Sequence, residues 1–156
     1  MFELHDFRAR YSPRVRPVLA CAFLMFGFPA AALGVKDCRE VGVGIESIAK
    51  PVEKAHISLY EGKVDAYNVD TVEPACCASG IAVILPAKDD PSGGSNCWAV
   101  IGLASVDVTA AKRSYDKAKG LLLVMPTKRG DANGEALEGP PLKLRINLGD
   151  GTVSLE

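Results

Sequence analysis

The hydrophobic positions of the chain recur mostly with a period of two. Leu142, Leu144, Ile146 and Leu148 fall on one face, and Lys143, Arg145 and Asn147 on the other. That alternation is the pattern of a half-buried strand. Gly149-Asp150-Gly151 turns the chain into Val153 and Leu155, which continue the apolar face, so a C-terminal hairpin is predicted. His56–Tyr60 and Val64–Val72 flank Glu61-Gly62-Lys63 as a second hairpin. Ile81–Leu85 and Trp98–Leu103 are apolar on both faces, which suits central strands covered on each side. Val41, Val43 and Ile45 alternate as a further short strand, and the breaker-rich stretch from Pro126 to Pro141 reads as a surface excursion.

One segment departs from that period. Val108, Ala111, Tyr115 and Ala118 lie at helical spacing, Thr109 is a suitable cap and Gly120 a suitable stop. A short helix over 109–119 is therefore expected, with a polar hairpin turning at Lys117 to Gly120 as the alternative. The fold class predicted is mainly β: a small antiparallel sandwich or barrel-like domain, carrying that one helix.

The first 32 residues do not belong to this pattern. Arg8, Arg10, Arg14 and Arg16 precede an apolar run from Val18 to Phe28, followed by Pro29 and Ala30-Ala31-Ala32. Basic, apolar and small-residue parts in that order are those of a secretory signal peptide, with cleavage expected after Ala32. A retained anchor is the alternative, since Val18 to Val35 carries no charge and just reaches spanning length. The chain thus divides into a signal peptide, 1–32, and a single domain, 33–156, expected to be periplasmic or secreted and not inserted in the membrane once cleaved.

Composition then narrows the function. The chain has 18 Lys and Arg against 19 Asp and Glu; removing 1–32 leaves 14 bases and 17 acids, a formal charge of −3. Nucleic-acid binders carry a basic excess, so no nucleic-acid partner is expected. Only four aromatic residues remain in the body (Tyr60, Tyr67, Trp98 and Tyr115), too few for the girdles of a membrane barrel. They also fall short of the rings that usually floor a sugar site.

Four cysteines remain after export, and an even number outside the cytoplasm suggests two disulfides. If 80–86 pairs with 97–104, Pro86 lies opposite Cys97, and Cys76 and Cys77 lie ~30 Å down the ladder. Bridged Cα atoms are only ~4.4–6.8 Å apart. A plain hairpin would therefore leave Cys38–Cys97 and force Cys76 onto Cys77, a strained pairing of neighbours. The preferred arrangement lets 74–79 fold back, so that Cys97 pairs with one of Cys76 and Cys77, and Cys38 with the other. The vicinal alternative stays open.

No catalytic constellation stands out. His56, the one imidazole of the body, has no evident acid or base partner in sequence, and no nucleophile-elbow pattern surrounds any Ser. Asp89 to Asn96 offers oxygen ligands but matches no EF-hand spacing. Arg129-Gly130-Asp131 spells an adhesion tripeptide that short chance matches readily produce. No cofactor or metal is expected. The reading that follows is an exported, non-catalytic binding or accessory domain with an unknown protein or small-molecule partner. Its candidate face carries Lys143 and Arg145. Two alternatives remain: a thiol- or soft-metal-handling protein using Cys76-Cys77, and a small hydrolase with an unrecognised site.

Overall fold

The computed structural model describes residues 33–72, 77–131 and 133–156. The signal peptide expected over 1–32, and Cys76, lie outside the described residues.

Alternation builds three antiparallel sheets. The first has five strands in the order β1-β5-β4-β3-β2, with β1 Lys36–Asp37, β2 His56–Leu59, β3 Val64–Asp70, β4 Ser79–Pro86 and β5 Ser95–Leu103. The second has four, β12-β11-β8-β7, with β7 Lys112–Asp116, β8 Gly120–Met125, β11 Leu142–Asn147 and β12 Thr152–Leu155. A three-stranded sheet, β10-β9-β6, uses β6 Ser105–Val106, β9 Thr127–Gly130 and β10 Ala136–Glu138. β6 follows β5 after Ala104, and β9 follows β8 after Pro126. Their pairing, Ser105 with Lys128 and Val106 with Thr127, ties the two larger sheets together. The result is a sandwich, not a closed barrel.

One core fills the space between the larger sheets. Ile81, Val83 and Leu85 of β4 meet Leu121, Leu123 and Met125 of β8 and Leu144 and Ile146 of β11 in a single buried cluster. Burying each such side chain contributes about 1.5–3 kcal/mol. The opposite face of the five-stranded sheet is covered as well. There Cys38 and Val43 pack on Val69, Ala82 and Ala99, so β4 and β5 are central strands under cover, as their two-sided hydrophobicity predicts. The covering segment is not a strand, however. It turns at 38–42, buries Val43 and then forms a one-turn 3-10 helix, Ile45–Ser47, that buries Ser47 and leaves Ile45 85% exposed.

The helix expected over 109–119 does not form. Asp107 Oδ1 accepts hydrogen bonds from the Thr109 and Ala110 amides, but the turn ends at Ala111. The chain then runs as β7, paired with β8 from Lys112–Val124 to Asp116–Gly120. An eleven-residue helix is marginal unless it buries a face, and Tyr115, the largest residue of that face, is exposed. The polar hairpin prevails because β8 supplies backbone partners. Asp116 Oδ1 closes its turn by accepting the Ala118 and Lys119 amides. The Pro126–Pro141 excursion is likewise ordered into the β9–β10 hairpin, whose turn is closed by Asp131 Oδ1 accepting the Asn133 and Glu135 amides.

Those turn carboxylates make the fold sensitive to acid. Hydrogen bonds to the ionised form hold Asp131 (Glu135 amide), Asp116 (Lys119 amide) and Asp90 (Ser92 hydroxyl) below the ordinary Asp pKa. A group whose folded pKa is depressed contributes stability above its unfolded pKa and loses it as pH falls through the folded value. Melting temperature should therefore be level near neutrality and fall below about pH 4. Asp131→Asn should flatten that decline; a decline unchanged in this variant would assign it to other groups.

Trp98 presents a different feature. Its Nε1–H is buried without a hydrogen-bond partner among the described residues, while the ring packs on the main core. An unsatisfied buried donor costs about 1–3 kcal/mol. Trp98→Phe removes it at the loss of some apolar contact, so the two effects oppose one another and the net change in a denaturant melt should stay within about 1 kcal/mol. Trp98→Ala, which only loses contact, should cost about 3–5 kcal/mol.

Candidate functional site

The structure joins Cys38 to Cys97, with Cα atoms 5.4 Å apart. This corrects the preferred pairing of Cys97 with Cys76 or Cys77. The reason is that β4 and β5 form a plain hairpin, in which Cys97 pairs with Ile84 and Pro86 with Ser95; the offset of two positions from the register inferred from sequence moves Cys97 toward the Cys77 end without bringing it into reach. Cys97 thus stays far up the ladder from Cys77. It meets Cys38 because β1 pairs with the other side of β5, and the Cys38 amide donates to the Cys97 carbonyl. Cys77 is also disulfide-bonded, and a sulfur so engaged is no thiolate for a soft metal. It borders two clefts, of 360 and 330 Å³, together with Thr71 and Ile101 in one and Asn68 and Ala104 in the other. Among the described residues no group of three or more metal-ligating side chains gathers.

His56 has a partner after all. Its Nε2 lies 2.8 Å from Asp65 Oδ1, and its ring stacks on Tyr67 with centroids 4.4 Å apart. The β2–β3 register places this pair on one face: His56 is opposite Tyr67 and Ser58 opposite Asp65. Counting along the sequence misses the contact, but laying the predicted hairpin out in register shows it. Burial, and then the Asp65 charge, push the Tyr67 hydroxyl above its ordinary pKa. A His held by a carboxylate can act as a base, yet none of the three clefts described has His56 in its lining.

Lys143 and Arg145 share a face of β11, beside the edge strand β12, as their alternation predicts. Their surroundings differ. Arg145 is committed internally: Nε and Nη2 donate to Glu156 Oε1 at 2.9 and 2.8 Å, and Nη1 donates to the Gly120 carbonyl. Lys143 is exposed and makes no ion pair among the described residues.

Lys143 instead borders a third cleft, of 290 Å³. Leu103 of β5, Leu142 of β11 and Leu155 of β12 give it an apolar lining, with Pro140 and Pro141 beside them. Arg129 of β9 joins Lys143 as a second exposed cation, and it too has no ion pair among the described residues. Glu156 is the one acid in the lining, and Arg145 already neutralises it. Sequence reasoning missed this grouping of Arg129 with the leucines because four strands, β5, β9, β11 and β12, bring them together from positions far apart.

The acidic loop and the Arg-Gly-Asp run have structural explanations. Asp90 Oδ1 accepts both the amide and the hydroxyl of Ser92, and Asp131 is spent on its own turn.

No protein-family model, no curated protein and no solved structure matches the chain.

Proposed function

We propose that the chain is an exported, non-catalytic binding domain that acts in the periplasm or after secretion. A structural disulfide is compatible with an oxidising compartment, which agrees with the export signal read in residues 1–32. The observation that carries the binding reading is the 290 Å³ cleft, where two cations without an ion pair among the described residues stand beside leucine and proline. Charged groups left unpaired beside apolar surface suit a ligand that supplies the missing charge and covers the surface.

A second reading, a small hydrolase, is favoured by the His56–Asp65 pair alone. The two differ in which residues matter. Thermal-shift measurements on the full chain with a panel of small anions and neutral compounds should find ligands that raise the melting temperature. Arg129→Glu with Lys143→Glu should abolish that rise, and His56→Ala should leave it intact. Turnover of any panel compound that His56→Ala eliminates would overturn the non-catalytic reading.

A further inference from the structure

We infer that the cleft between β9, β11 and β12 takes an amphiphile with one anionic head and a short aliphatic stem. This rests on the reading of that cleft as the binding site and names its ligand class.

The head follows from the charges. Arg129 and Lys143 are both in the lining, both exposed and both without an ion pair among the described residues. The opposing carboxylate of Glu156 is gripped by two nitrogens of Arg145, so it neither satisfies these cations nor repels an incoming anion at full strength. Arg and Lys side chains bordering one cleft are suitable receptors for a carboxylate or phosphate oxygen.

The stem follows from the remaining lining. Leu33, Leu155, Pro140 and Pro141 offer apolar surface over the buried Leu103 and Leu142, and the one hydroxyl there, on Thr127, already donates to the Pro140 carbonyl at 2.9 Å. A polar stem lying along the leucines and prolines would leave its hydroxyls without side-chain partners there and would lose affinity. Size sets the last limit. A volume of 290 Å³ is at the small end of ligand sites, which excludes a bulky lipid and suits a stem of a few carbons.

Octanoate is a suitable probe, titrated calorimetrically into the full chain at low salt. Saturable one-to-one binding is expected, with octanol and acetate each at least about tenfold weaker, because each supplies only half of the recognition. Arg129→Glu with Lys143→Glu should weaken octanoate about tenfold or more. Lys112→Glu, a single charge reversal on the exposed β7 strand outside the cleft, should leave it unaltered. Should the double variant not fold, Lys143→Met, which keeps the stem and removes the charge, provides the same comparison. Absence of saturable octanoate binding, equal binding of octanol, or equal weakening by Lys112→Glu would each overturn the inference. The broader reading fails separately: if octanoate does not bind but another panel compound does, and depends on Arg129 and Lys143, only the ligand class is wrong.

Discussion

Cys97→Ser is expected to destabilise the protein by about 2–5 kcal/mol and to lower its melting temperature by roughly 8–20 °C. The bridge closes a loop between residues 59 apart in sequence, so its loss restores much freedom to the unfolded chain. It also removes a native tie. Cys38 is 3% exposed among Val43, Val69, Ala82 and Ala99, and the bridge holds the 38–47 segment over the outer face of β4 and β5. Without it, amide exchange should quicken first at Val43 and Ser47, while amides of β8 and β11 in the main core stay slow. Cys38 should then react with thiol reagents in the variant. A melting curve unmoved by this substitution, or by reduction of the parent protein, would show that the bridge is not structural.

Gly120→Ala should be nearly as damaging, although it adds only a methyl group. Gly120 begins β8 with φ +88°, a region that L side chains rarely enter. A Cβ there would stand 3.0 Å from Asn147 Cα, and closer still to the Ile146 carbonyl oxygen, so β8 and β11 would have to separate. The backbone conformation alone costs of order 1–3 kcal/mol, and forced separation in a packed sheet adds to it. Arg145 loses as well, since its Nη1 donates to the Gly120 carbonyl. A loss of about 2–4 kcal/mol is expected in denaturant melts. Gly93→Ala is the informative comparison. That residue also has positive φ, but a Cβ there meets nothing within 4 Å, so only the conformational part should appear. Equal losses at the two sites would mean that the close approach of β8 to β11 carries no energetic weight.

Much of this fold is legible in the sequence because a period of two is a local property. Leu142, Leu144 and Ile146 alternate with Lys143, Arg145 and Asn147, and burial follows that alternation residue by residue. The two-sided apolar runs at 81–85 and 98–103 likewise predict central strands. Helical spacing misled at 109–119, because coincidental spacing cannot say whether a face will find cover; Tyr115 finds none, and β8 offers hydrogen bonds instead. The cysteine pairing turned on whether β4 and β5 form a plain ladder, as they do from Ser79–Leu103 to Pro86–Ser95, and a plain ladder keeps Cys97 out of reach of Cys77 in either register. The His56–Asp65 contact was within reach of hairpin geometry, since both ends of that hairpin are readable. The cleft was not. Leu103, Arg129, Lys143 and Leu155 become neighbours only once the three sheets have joined.

Where a ligand lands decides the central claim, that this is a binding domain working through the β9, β11 and β12 cleft. Backbone-amide NMR shifts of the full chain, recorded while titrating the tightest-binding compound of the panel, read that position directly. The account predicts that the largest changes fall at Leu103, Thr127 to Arg129, Leu142, Lys143 and Leu155, with His56, Asp65 and Tyr67 unmoved. Changes centred on His56, Asp65 and Tyr67, or no saturable change with any compound, would contradict it.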